Sequence, residues 1–266
     1  MSMINKGPSI MVANSDQDAI NIVNGLSGNN YITIEDALGW ISTQDDIYVQ
    51  NKTIENIVTD GLVLYLDSSS VGSYPKGGTT WYDMSEGSND WTIPNGIYTN
   101  GTMNFTADSA SKSPPISWQG VLDCTIETWF YPKTGGIKTT CCDTIFGRYD
   151  FRFFMINQSI YTMIGFDNGS GVRTYSHPDY SISYDNWHHM VGLRRDNRFI
   201  MWIDGVERSN TAFGAGLSLW DTSATWFIST NLHPNLNITI CRIYNRGLSD
   251  TEIIQNFNSQ KSRFGL

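Results

Sequence analysis

Within residues 186–206, NWHHMVGLRRDNRFIMWIDGV, polarity changes with a period of two, which is the period of an extended strand and not of a helix. Trp187, His189, Val191 and Leu193 share one face of a first strand. On a second strand, Phe199, Met201 and Ile203 share a face, while Ile200 and Trp202 lie opposite. Arg195, Asp196 and Asn197 supply the turn between them, and Asp204-Gly205 begins the next reversal, a pair that tolerates positive φ. Apolar residues on both faces of the second strand place it inside a sandwich. A one-residue slip would carry the first apolar set to the wrong face, so the pattern also fixes the register.

Residues 238–253, ITICRIYNRGLSDTEI, read as a strand running into a helix. Ser249 and Glu252 have the spacing of a capping box, Asp250 suits the positive helix end, and Ile253 with Phe257 form an i, i+4 apolar pair. Nearer the start, residues 60–67 (DGLVLYLD) lead into the turn-rich stretch 74–83 (YPKGGTTWYD). With Trp187, His189, Val191 and the Asp204-Gly205-Val206 turn, these passages resemble laminin-G-like, concanavalin A-like domains. They are similar in particular to the laminin-G-like modules of bacteriophage virion proteins. The likeness spans residues 59–266. It implies an all-β fold: an antiparallel jelly-roll β-sandwich with a short C-terminal helix, following a small N-terminal anchoring segment, residues 1–58. In one respect the chain departs from the family, whose acidic pair in the closing strand is replaced by Thr239 and Ile240.

Strands are predicted at 61–66, 103–106, 124–131, 143–147, 151–156, 160–166, 187–194, 198–203, 224–229 and 238–244, separated by turn clusters. Such spacing is that of an antiparallel sandwich. Aromatic residues at 13% and charged residues at only 16% fit a β protein whose surface is polar but largely uncharged. A net charge of −9 argues against nucleic-acid binding, which needs a basic footprint. No apolar run approaches the roughly 20 residues of a membrane span. Residues 1–8, MSMINKGP, lack the basic-then-apolar order of a secretory signal, so synthesis in a host cytoplasm is expected, and the resemblance implies residence in the virion. Cys124, Cys141, Cys142 and Cys241 show no C-x-x-C spacing and read as reduced thiols.

Residues 1–58 carry Asp16, Asp18, Glu35, Asp36, Asp45, Asp46 and Glu55 against Lys6 and Lys52. Seven acids less two lysines leave −5, more than half the net charge of the chain. Residues 15–18 (SDQD) start a predicted helix over Ala19, Ile20, Ile22, Val23 and Leu26, ended by Gly25 and Gly28. Thr33 caps a second, carrying Ala37, Leu38 and Ile41. So small a segment forms little core alone, so it is expected to dock either on its own sandwich or on a partner.

Catalysis is weighed because concanavalin A-like folds include glycoside hydrolases, which set two carboxylates about 5 Å apart on one face. No E-x-D-x-x-E motif occurs. Glu127, in TIETWF, is a lone strand carboxylate and is assigned a packing or hydrogen-bonding role, so Glu127→Gln is expected to leave function intact. A nucleophile elbow, a zinc-binding helix and a P-loop are absent. His188 and His189 are adjacent on a strand and cannot share a metal. His189 matches the family's hydrogen-bonded strand histidine, whereas His177 and His233 precede prolines in predicted loops. No catalytic, cofactor-binding or metal-ligating residue is assigned. Calcium remains open, with Asp67, Asp83, Asp143 and Asp167 as loop carboxylates that turn chemistry also explains. For sugar stacking, Trp81, Trp91, Trp118, Trp220 and Trp226 fall in or near predicted loops, whereas Trp129, Trp187 and Trp202 are assigned to the core.

These readings point to a non-enzymatic bacteriophage virion structural protein, a capsid decoration, neck or tail component displaying its sandwich on the particle. The alternative is a lectin-like adhesin binding host cell-surface glycans, and a glycoside hydrolase comes third. Expected partners are other virion proteins through residues 1–58 and further copies of the chain, a trimer by family analogy.

Overall fold

The computed structural model describes residues 2–6, 9–13, 20–21, 23–24, 47–51, 57–94, 97–105, 110–111, 123–134, 143–148, 151–156, 159–167, 172–212, 218–219, 226–230 and 236–266. The chain forms two compact units, Met1–Asn56 and Ile57–Leu266.

In the first unit, strands β1 (Ser2–Lys6), β2 (Ser9–Ala13) and β3 (Ile47–Asn51) make an antiparallel sheet in the order β2-β1-β3. Ile4 pairs with Met11 on one side and Val49 on the other. This sheet was not expected from the sequence, because runs such as SMINK are too short to show an alternation. Residues 20, 21, 23 and 24 are helical, as expected, and Ile20 and Val23 are buried. The helix expected after Thr33 lies outside the described residues.

The second unit is an antiparallel β-sandwich. One sheet runs β17 (Val206–Ala212), β16 (Arg198–Ile203), β15 (His188–Arg195), β10 (Cys124–Pro132), β20 (Leu236–Tyr244), β8 (Thr102–Phe105) and β7 (Tyr98–Thr99), with β4 (Leu62–Asp67) also on β20. The other runs β14 (Val172–Ser181), β13 (Ser159–Asp167), β12 (Phe151–Ile156), β11 (Asp143–Arg148), β19 (Trp226–Thr230), β9 (Ala110–Ser111), β6 (Trp91–Thr92) and β5 (Thr80–Trp81), with β18 (Ser218–Leu219) on β13. Leu64, Leu66, Met103, Phe105, Ile126 and Phe130 from the first sheet meet Trp81, Trp91, Ile145, Phe146, Trp226 and Ile228 from the second in one buried core.

The hairpin β15–β16 forms as its pattern dictates, with Val191 opposite Trp202 and Leu193 opposite Ile200. Phe199, Met201 and Ile203 enter the core between the sheets. Ile200 and Trp202 join Val191, Leu193, Tyr244, Leu248 and Ile253 in a second core on the outer face. What covers that face is the C-terminal helix α1 (Asp250–Gln260), which begins on the expected capping box: Ser249 takes the Glu252 N–H, and Glu252 reaches back to Ser249. A 3₁₀ turn, Lys261–Phe264, follows it.

Two long strands of the second unit were missed in the sequence, along with the two-residue strands β5, β6, β7, β9 and β18. β17 is an edge strand of polar, mostly exposed residues, so no apolar alternation marks it. β14 contains His177 and Pro178, which the sequence placed in a loop. It is also an edge strand, and Ser159 pairs with Ser181 but Tyr161 with Ser176, so the proline falls in a register break. No helix among the described residues is long and apolar enough to cross a membrane.

Candidate functional site

Alternation along β10 sends Ile126 and Phe130 into the sandwich and turns Thr125, Glu127, Trp129 and Tyr131 to the outer face. Glu127 is fully buried there, under α1. Its Oε1 accepts from Arg242 Nη1 and from His189 Nε2, each at 2.8 Å, and its Oε2 accepts from Asn256 Nδ2 at 2.8 Å. A carboxylate only accepts, so His189 carries its proton on Nε2. Asn256 Nδ2 also donates to the Tyr244 hydroxyl (2.9 Å), and its Oδ1 accepts the Val58 N–H (2.8 Å). The Arg242 guanidinium lies 4.5 Å from the centre of the Tyr65 ring. Burial pushes the Glu127 carboxyl up, but Arg242, His189 and Asn256 outweigh it and hold the group below its ordinary value. Both carboxylate oxygens are thus engaged by protein donors, and the group is buried beneath the helix. Its chemistry is that of an internal clasp between sheet and helix.

A second polar set ties the loop before β15 to the hairpin end. His188 Nδ1 lies 2.8 Å from Asp204 Oδ2, and its Nε2 lies 3.1 Å from Ser183 Oγ. Serine, histidine and aspartate in this order resemble a nucleophile, base and orienting acid. The Ser183 carbonyl, however, lies 3.0 Å from the same Nε2 and competes for it. Asp204 spends its other oxygen on the His189 N–H (2.8 Å), which closes the turn where Asp204 and Gly205 take positive φ.

Beyond α1 the same outer face is lined with aromatic rings. Trp129 is stacked between Phe257 (5.9 Å) and Phe264 (4.1 Å), and its indole N–H donates to Gln260 Oε1 at 3.1 Å. Phe264 lies 4.8 Å from Trp187, which meets Tyr131 edge-on at 5.5 Å. Trp187, Tyr131 and Phe264 are half-buried. Pairing extends the row, since Tyr131 faces Asn237 on β20, and Asn237 faces Asn104 on β8. Lys133 Nζ donates to Asn104 Oδ1 at 2.7 Å.

The tryptophan assignment holds in part. Trp81, Trp91 and Trp226, taken from the sequence as loop residues for sugar stacking, are fully buried between the sheets. Two-residue strands hold the first two, and strands so short leave no periodic trace. Trp129 and Trp202 are buried, as expected, but on the outer face beside α1 and not between the sheets, while Trp187 is half-buried on that same face. Trp118 and Trp220 lie outside the described residues.

Asp67 and Asp83 are both engaged. Asp67 accepts two bonds from Arg263 (2.9 and 3.1 Å), and Asp83 accepts from the N–H groups of Tyr65, Ser85 and Asn89 and from the Ser85 hydroxyl. The side chains of Asp143 and Asp167, and residues 141, 142 and 233, lie outside the described set. Cys124 and Cys241 are buried and form no disulfide among the described residues, and burial pushes the Cys241 thiol far up. Among the described residues no group of three or more His, Cys, Asp or Glu is placed to hold a metal.

An antiparallel sandwich closed by a capped C-terminal helix defines a lectin-like class of domain. The family model of the concanavalin A-like lectin/glucanases superfamily, laminin G type, matches residues 105–254, which is 150 of the 266, and the chain belongs to that family. Among solved structures it is similar to a Trypanosoma rangeli sialidase in complex with sialic acid, at a TM-score of 0.55 and 16% identity over 76% of this chain. It is also similar to the binding domain of Paraclostridial Mosquitocidal Protein 1, at a TM-score of 0.56 and 16% identity over 75% of this chain. The match spans about a third (33%) of the sialidase and about half (52%) of the toxin domain. No curated protein matches the sequence.

Proposed function

We propose that this chain is a non-enzymatic display module, a structural component of a bacteriophage particle that presents its β-sandwich on the outside. The observation that carries the non-enzymatic part is the fate of Glu127. It is the lone strand carboxylate weighed for hydrolysis, and Arg242, His189 and Asn256 occupy both its oxygens beneath a helix. The Ser183–His188 contact offers no freer base, because the Ser183 carbonyl shares Nε2. The particle setting rests on the likeness of the hairpin, the closing strand and its capped helix to virion modules. Purified full-length chain should release neither reducing sugar from polysaccharides nor nitrophenol from nitrophenyl acetate. Gradient-purified particles of the phage that encodes it should contain the chain by mass spectrometry. Turnover abolished by Glu127→Gln or Ser183→Ala, in folded variants, overturns the first part, and absence from particles overturns the second.

A lectin-like adhesin is the second reading, favoured by the half-buried rings of Tyr131, Trp187 and Phe264 at the end of the sheet. Structures it resembles include a sialidase in complex with sialic acid and a toxin binding domain, which supports recognition of a cell surface. Binding of the full chain to a glycan array tests it directly.

A further inference from the structure

We propose that the uncovered end of the outer face is a subsite for a neutral pyranose, with Trp187 and Tyr131 stacking on the ring and Asn237, Asn104 and Lys133 meeting its hydroxyls. The proposal rests on the lectin-like reading and names its place and chemistry. Three observations carry it. First, the aromatic rings of Trp187 and Tyr131 are half-buried on a face whose neighbouring half is sealed by α1. Second, Asn237 Oδ1 is buried without a hydrogen-bond partner among the described residues, although Asn237 is only half-buried as a whole. An orphan acceptor of this kind is costly unless something donates to it. Third, register fixes Asn104, Asn237 and Tyr131 side by side on three adjacent strands, with Trp187 against Tyr131.

Neighbouring strands lie about 4.8 Å apart, so a pyranose seated over Tyr131 reaches the adjacent Asn237, with Asn104 and Lys133 one strand further along the row. A pyranose is complementary to such a row, since its C–H face is apolar and its hydroxyls both donate and accept. Asn237 Oδ1 has almost no accessible surface, so the partly exposed Asn237 amide turns outward to accept from a hydroxyl, while Lys133 and the Asn104 amide donate to others. The lysine does not make the site anionic-selective. Desolvation draws the Lys133 ammonium below its ordinary range, and the nearby Asp185 carboxylate offsets its charge. Lys133 already spends a donor on Asn104 Oδ1, and a chain of net charge −9 favours a neutral sugar over a sulfated or sialylated one.

The test uses the full chain and four probes: the methyl glycosides of glucose, galactose, mannose and N-acetylglucosamine. Saturation-transfer proton NMR should show magnetisation passing from protein aromatic protons to at least one of them. Trp187→Ala and Asn237→Ala should each weaken that sugar by about tenfold or more, while Tyr82→Ala, at an exposed aromatic outside the row, should leave it unchanged. Should Trp187→Ala fail to fold, Asn237→Ala and Lys133→Met decide, since neither removes a core side chain. If a sugar binds but these variants keep full affinity, the subsite lies elsewhere and the lectin-like reading survives. If neither the probes nor an array yields binding, both fall. If the variants change only the oligomeric state in light scattering, the face is a contact between copies and the proposal is wrong.

Discussion

Glu127 Oε1 and Arg242 Nη1 lie 2.8 Å apart with both side chains fully buried, one on β10 and one on β20, outside the main core and beneath the C-terminal helix. Two opposite charges taken out of water stabilise little in net terms, but removing one of them leaves the other stranded. Glu127→Gln should therefore destabilise the sandwich by about 3–5 kcal/mol, the usual cost of breaking a buried pair. Urea unfolding of variant and parent measures it. A midpoint unchanged by the substitution would mean the pair is not the clasp described here. The sequence reading expected this exchange to be silent for function; the structure adds that it is not silent for stability.

The pH response follows from Glu252. Two hydrogen bonds from Arg246, at 2.6 and 2.9 Å, lead the causes that hold its carboxyl at about 2 against an ordinary 4.5. A depressed carboxylate adds stability that is present above pH 4.5 and lost as pH falls through 2. The buried Glu127 is shifted in the same direction. Melting temperature should accordingly decline across that acid window, and Glu252→Gln should flatten the decline. Because Glu252 is partly exposed, solvent screening keeps its share modest. An equal slope in parent and Glu252→Gln, from melts at a series of pH values, would remove Glu252 as a cause.

Gly205 is held at φ +75°, and a Cβ added there would meet Phe257 Cδ1 at 2.6 Å. Phe257 is stacked on Trp129 and cannot swing away without opening the aromatic row. Gly205→Ala should thus cost more than about 1 kcal/mol, since both the backbone and the space oppose it. Differential scanning calorimetry reports the loss. A melting temperature at or above that of the parent would contradict it.

Some of this was legible in the chain. The β15–β16 hairpin writes its two faces into a period of two, and Ser249 with Glu252 writes the helix start into four residues. Local signals of this kind survive because the groups that satisfy them are neighbours in sequence. The clasp around Glu127 is different. Arg242 and Asn256 lie 115 and 129 positions away, and nothing in TIETWF names them. The outer-face aromatic row failed for a related reason. Trp187 alternates correctly with His189, but whether its face looks onto a second sheet or onto a helix is decided by residues 250–264. The Ser183–His188 contact could have been suspected, since a loop of four residues separates the pair, but no motif marks it.

Val58 sits at the edge of the second unit, and its two backbone groups complete the clasp. Its N–H donates to Asn256 Oδ1 at 2.8 Å, and its carbonyl accepts from the Tyr244 hydroxyl at 3.2 Å. The boundary expected from the sequence, after residue 58, would remove both partners. Burial already pushes the Tyr244 hydroxyl far above its ordinary pKa, so it cannot shed its proton to escape an unmet bond. Each orphaned group costs about 1–3 kcal/mol. A fragment of residues 57–266 should therefore fold cooperatively by itself, because the two cores and the helix that covers the outer one lie within it. A fragment beginning at residue 60 should also collapse but melt at a clearly lower temperature. Circular dichroism melts of the two fragments separate these outcomes. Equal melting temperatures would show that Val58 is dispensable, and failure of the longer fragment to fold would show that residues 1–56 are part of the sandwich's own stability.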